Sequence, residues 1–557
     1  MGRLISKGII NKRKKTNKEK ARKMKKTMKQ NSLLSGVKSL GVVLSLSLAL
    51  ISCTKDDVAQ NPTKPNEETN KNLTTFVAGG ENKTRTSLDY NSGNFYWEAD
   101  DYIYVKDDDG VLQKSTNAPT SKVAAFKYKV PGKFTASSSY KVYYLGKNSS
   151  GNSVTISTTQ SQTAPDNTEH FGTAGDYGTA TATGTLGGKA FSFELEHQPA
   201  YLVFQPYTSN TILQSCYLTK VEVSSDNDIA ETYTVNPTTG ALDASAVTDG
   251  KQIVLTTKDA ASGSSYNNGF PLTNNSASLT TNGAYMVIKP GTHTLRVRYW
   301  VKDVVTNVEG TITKTLPATA YASNTYYDMK ADLNIRNYDG NHYYMWDAQE
   351  QYWKGYEWTK NLGAGIGQPT IDQALPGATT SSNYAQSNSD PNNRWHNETN
   401  SMPPINATHS CAGLPNVNEI TWYAAKGDPR WDGDELWTTM GHLYKGGMWF
   451  KKKAYISGYN SNIAADGVDW RNENTGDSWS VSQTLPSAAD ADKYFYLPAL
   501  GFYVHGQLNL LSKFGYYWSS SALAGTSDHA YGLYFFRNAV YIDIDHRFAG
   551  FIVGTFE

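Results

Sequence analysis

The sequence predicts a mainly β protein, with two β-sandwiches followed by a domain of α+β type. Three observations carry that expectation. The 557 residues include 37 Tyr and 46 Gly beside abundant Thr, Ser and Asn, a mixture that favours strands and turns over helix. Short strand-like runs alternate with turn residues from Leu73 to Leu333, the spacing of sandwich folds. Beyond Asn337, Trp and Asn become dense, long loops appear and one helix is legible. The implied division is a leader over residues 1–52, a tether over 53–71, a sandwich over 72–208, a second over 209–336 and the α+β domain over 337–557.

The leader is basic and then apolar. It holds 14 of the 52 basic residues but one of the 51 acidic ones, Glu19, and an apolar run of about 12 residues occupies 40–51. That run is too short for a hydrocarbon core, which needs ~20 residues, and it fits the apolar stretch of a secretory signal. Leu50, Ile51, Ser52 and Cys53 resemble a bacterial lipobox. The resemblance implies cleavage between Ser52 and Cys53 and lipid on the Cys53 thiol. Lys55, Asp56 and Asp57 resemble the Bacteroidetes signal that carries lipoproteins to the outside of the outer membrane. The basic stretch is long for such a signal, and translation from Met24 or Met28 would give an ordinary one.

Without the leader, 38 basic residues face 50 acidic ones, a net charge of −12 with His neutral. A chain so charged repels nucleic acid and anionic lipid. Only Cys216 and Cys411 accompany Cys53, far apart in sequence, so neither a disulfide framework nor a zinc set is expected.

Each element has its own signal. Residues 54–71 are polar, with Pro62 and Pro65, as a flexible tether would be. Strand candidates of the first sandwich are residues 73–77, 95–98, 102–105, 124–130, 140–145, 190–195 and 200–205; Ile103 and Val105 share a face before the turn Asp107, Asp108, Asp109, Gly110. Those of the second are 218–223, 232–235, 253–255, 284–288, 294–301 and 325–333. In the third domain Pro415 and Asn416 open a helix with Val417, Ile420 and Ala424 at helical spacing, and Gly427 ends it. Residues 363–410 read as loop and 494–556 as strands again.

From these residues a resemblance follows. Lys83, Thr84, Arg85 and Thr86, then Phe95 through Ile103, Tyr140 through Tyr144, Phe193 through His197, Ala200 through Phe204, and Tyr326 through Leu333 resemble the fimbrillins of Bacteroidetes, subunits of type V pili. The resemblance implies two transthyretin-like β-sandwiches. It also implies that a protease cuts after Arg85, before Thr86, removing the first strand so that a strand of the next subunit fills the groove by β-strand addition. Trp346, Asp347, Ala348, Leu414 through Glu419, Tyr496 through Gly501, Gly515 through Ser521, Ala530 through Phe535 and Arg547 through Phe551 are similar to FISUMP-type domains, which have a C-type-lectin-like fold. Fimbrillin stalk subunits end in a strand that they donate, whereas residues 551–557 close the lectin-like pattern, so a tip subunit is expected. Its last domain would then be presented for adhesion to a glycan or protein receptor.

Candidate chemistry in that domain is sparse. Trp431, Trp437, Trp449 and Trp470, beside Asp432, Asp434 and Asp469, are candidate ligand-binding residues because indole faces stack on sugar rings. The Glu-Pro-Asn and Trp-Asn-Asp motifs of calcium-dependent lectins are missing, and no local carboxylate set suits calcium. Asp543 and Asp545 alternate with Ile542 and Ile544 beside His546, as a solvated strand face does. Gly363, Gly365 and Gly367 lack the strand–helix context of a nucleotide loop. No enzyme, metal or cofactor is expected. The rival expectations are a non-polymerising glycan-binding lipoprotein and a surface hydrolase using Asp543 and Asp545.

Overall fold

A computed structural model describes residues 73–79, 87–89, 94–149, 151–371, 379–399, 405–554, 556 and 557. Ser52, Cys53, Arg85 and Thr86, with the leader and tether, lie outside the described residues. The protein is mainly β, and among the described residues no helix is long and apolar enough to cross a membrane.

In the first sheet the strands run in the order Leu112–Lys114, Ile103–Lys106, Ser139–Tyr144, Gly178–Gly184, Ala190–Phe193, Leu73–Ala78 and Phe126–Pro131. Its two ends meet. The Thr116 amide donates to Lys129 O at 2.7 Å, and the Asn117 side chain donates to Lys127 O and accepts from Lys129 N. The sheet thereby wraps a core of Phe76, Trp97, Val105, Tyr128, Val142 and Phe191, most of them inward residues of its strands. Ile103 and Val105 both lie in it, as their alternation implies.

The second sandwich packs the strands Ala284–Ile288, Ala200–Tyr207 and Thr325–Asp332 against a nine-stranded sheet. Phe204 meets Tyr299 edge-on across the core at 6.1 Å. Ala200–Tyr207 lies before residue 209 in sequence, yet it pairs with two strands that follow it. Thr159–Ser161 likewise pairs with Gln252–Thr256. Chain order does not reveal which sheet a strand joins.

The nine-stranded sheet continues past residue 337. Glu309–Tyr321 pairs with Arg430–Thr439 through Thr311 and Glu435, and His442–Lys451 and Tyr494–Pro498 extend it. Two of the strands missing from the sequence reading, Gly178–Gly184 and Glu309–Tyr321, are rich in Thr, Ala and Gly rather than large apolar residues. Pro317 sits where the register of Glu309–Tyr321 shifts, a position that tolerates the missing N–H.

In the third domain six strands are ordered Tyr343–Tyr344, Phe551–Ile552, Phe514–Ala522, His529–Phe536, Ala539–His546 and Asp477–Ser480. The helix Val417–Lys426 lies on this sheet with Val417, Ile420 and Ala424 buried. Asn416 caps it, accepting from Glu419 N, while the Glu419 carboxylate accepts from Asn416 N. Both orphan donors are thereby satisfied. Gly427 closes the helix for a steric reason: a Cβ there would come within 2.2 Å of Tyr423 O.

Candidate functional site

The first strand, Leu73–Ala78, is an interior strand. It runs antiparallel to Phe126–Pro131, from Leu73 opposite Pro131 to Ala78 opposite Phe126, and parallel to Ala190–Phe193. Alternation aims Thr74, Phe76 and Ala78 inward, and all three are buried. Phe76 stacks on Phe191 with centroids 5.4 Å apart and meets Phe134 edge-on at 5.1 Å. Tyr140 closes the same pocket, 5.0 Å from each of Phe134 and Phe191. Lys129 Nζ donates to Thr75 Oγ1 at 2.8 Å from the outer side.

At its end the strand turns through Gly79, whose φ of +108° suits glycine and whose Cβ would lie 3.0 Å from Ala125 Cβ. The chain then enters the segment that contains Arg85 and Thr86. Take the strand away, and two facing edges lose their backbone partners over a pocket shaped for one aromatic ring. Such a slot accepts another strand of the same alternation.

Two of the four candidate tryptophans are core residues and offer no free face to a sugar. Trp437 is buried, with its indole N–H donated to Gly446 O and its ring stacked on Tyr444. Trp470 is buried too, donating to Asp466 Oδ2 at 2.8 Å. Trp431 and Trp449 are half-buried, and Trp449 donates to Asp432 Oδ2 at 3.1 Å. Spacing alone could not separate an anchor from a platform. The nearby acids have cationic partners as well: Asp434 meets Lys445, and Asp469 holds Arg471, whose hydrogen bonds pull the Asp469 carboxyl down to about 2.

Asp432 belongs to a seam between the second sandwich and the third domain. It is 2.8 Å from Arg298 Nη2, and both side chains are buried. Beside it the Glu435 carboxylate accepts from Thr313 N and from the hydroxyls of Thr311 and Thr313. Burial, with the Asp432 charge second, raises the Glu435 carboxyl to about 7. Sequence reasoning missed Arg298 and Glu435, which read as ordinary strand residues.

Asp347 was also missed as an organiser. Its buried carboxylate accepts from Asn397 Nδ2 and from the amides of Thr408, His409 and Cys411, tying the long loop to the domain. Cys411 and Cys216 are buried thiols in separate clusters, and burial pushes the Cys216 thiol up to about 12. His197 Nδ1 lies 3.0 Å from the Asp176 carboxylate, inside the protein. Asp543 and Asp545 project from one face, and each accepts the amide of the following residue. His546 faces His529 across the hairpin.

No protein-family model and no curated protein matches the sequence. Similar solved structures include a candidate cell adhesion protein from Bacteroides ovatus, 14% identical, covering 47% of this chain and 93% of that one at a TM-score of 0.30. A fimbrial protein from Bacteroides ovatus is 11% identical over 86% of this chain and 98% of its own, at 0.25. The fimbrial anchor protein Mfa2 from Porphyromonas gingivalis is 11% identical over 44% and 83%, at 0.21. Likenesses this loose leave the function to be argued from the chain's own residues.

Proposed function

We propose that this chain is a type V pilus subunit of the tip type, exported as a surface lipoprotein and activated by cleavage after Arg85. The observation that carries the reading is the place of Leu73–Ala78: an interior strand that precedes all other described strands and is joined to the rest through the Arg85 segment. A strand so placed can leave without breaking any other connection in the sandwich. Lipid on Cys53 would hold the uncut chain at the outer membrane, and the cut would release the body from that lipid. The vacated slot would take the donated strand of another subunit.

In the tip reading the third domain is the outermost part. Phe551–Ile552 pairs with Tyr343–Tyr344, Phe556 is buried, and the Glu557 carboxylate accepts from Tyr423 Oη at 2.8 Å. These residues are engaged within their own domain. That domain is then the part offered to a glycan or protein receptor, and no catalytic turnover is expected of it.

The test is limited digestion of the full-length precursor with an arginine-specific protease. A new N-terminus at Thr86, an intact body and uptake of a synthetic strand peptide are the expected results. Resistance at Arg85, or digestion of the whole first sandwich, sinks the reading and favours a non-polymerising glycan-binding lipoprotein.

A further inference from the structure

The hairpin formed by His529–Phe536 and Ala539–His546 turns at Arg537 and Asn538, pairing Phe536 with Ala539 and, at its open end, His529 with His546. Directly opposed residues of an antiparallel pair share a face. The two imidazoles accordingly lie with centroids 4.3 Å apart and planes inclined by 40°. Asp528 precedes the first of them, and its Oδ1 is 2.8 Å from His529 Nδ1. One ligand atom from each of Asp528, His529 and His546 lies within 4.8 Å of the others. Asp528 and His546 are exposed, so an ion can reach the group from solvent.

The backbone beneath is held in place. Arg547 is fully buried, with its guanidinium given to the carbonyls of His529, Asn397, Thr399 and Thr526. Its amide donates to Asp528 O at 2.7 Å. This cation is therefore occupied by backbone oxygens, and Arg547 also fixes the Asp528–His529 segment, which supplies two of the three ligands. Of the neighbouring titratable groups, Asp545 adds negative charge from the other face of its strand, and His396 is buried. The side chain of Phe548 stacks on His546 with centroids 4.9 Å apart, limiting the ring's freedom.

We propose that Asp528, His529 and His546 form a surface site for a divalent transition-metal ion of the zinc class. Two imidazoles and one carboxylate are a donor set suited to Zn²⁺, Cu²⁺ or Ni²⁺ rather than to Ca²⁺ or Mg²⁺. Three protein ligands leave a fourth position open to water or to a donor atom from an approaching molecule.

The test is calorimetric titration of the full chain with Zn²⁺ at neutral pH, with Co²⁺ absorption as a second readout. One ion per chain is expected, together with visible Co²⁺ bands from a distorted tetrahedral site. His529→Ala and His546→Ala should each weaken binding at least ~10-fold and abolish the bands, while His505→Ala should change neither. Circular dichroism checks that each variant is folded. Absence of saturable Zn²⁺ binding by the parent chain, or unchanged binding by the doubly substituted His529→Ala, His546→Ala chain, overturns the proposal.

Discussion

Phe76 and Phe191 stack at 5.4 Å in the core of the first sandwich, although one belongs to the first described strand and the other to a strand far along the chain. The contact closes the slot that the first strand occupies. Under the proposed strand exchange, a replacement strand would need an aromatic or large aliphatic side chain at the position of Phe76, flanked two residues away by small ones as Thr74 and Ala78 are here.

Phe76 is predicted to contribute most of the side-chain energy of that strand. Phe76→Ala removes a fully buried ring and should lower stability by about 3–5 kcal/mol, read as a lower midpoint in urea unfolding. A peptide covering residues 73–79 should bind the cleaved body, and the same peptide with Phe76→Ala should bind far more weakly. Equal binding of the two peptides would mean that the pocket does not select the strand.

Arg298 and Asp432 fasten the second sandwich to the third domain. Removing one partner leaves the other charge buried and unpaired, so Asp432→Ala should cost about 3–5 kcal/mol. Loss at the seam should appear as an unfolding curve that separates into two transitions. A single transition with an unchanged midpoint would refute the role.

Glu435 should make the same seam sensitive to pH. Its carboxyl is raised from 4.5 to about 7, chiefly by burial. The folded state therefore binds more protons than the unfolded state between those values, and stability falls as pH rises from 4.5 to about 7, then levels off. Glu435→Gln, neutral at every pH, should remove that slope. Denaturant midpoints at several pH values decide it, and a slope that survives the substitution would rule it out.

Several features were legible because they are local. The capped helix at Asn416 needs only a short stretch of chain, in which the capping pair and the apolar spacing agree. The alternation at Ile103 and Val105, and that of the first strand, likewise need only nearest neighbours. Trp437 and Trp470 were not separable from Trp431 and Trp449 by sequence, since burial of an indole depends on what packs over it. The register of the His529 hairpin was within reach, because a two-residue turn at Arg537 and Asn538 pairs residues symmetrically about it.

The sequence by itself determined the mainly β class and the helix with its caps, both of which follow from short-range pattern. Only the tertiary structure decided that Leu73–Ala78 lies inside a sheet, that Ala200–Tyr207 pairs with later strands, and that one sheet runs from the second sandwich into the third domain. The reason is physical. A strand's own residues fix which side chains point together, but its hydrogen-bonding edges are alike, and partner choice comes from the packing of distant side chains into a shared core.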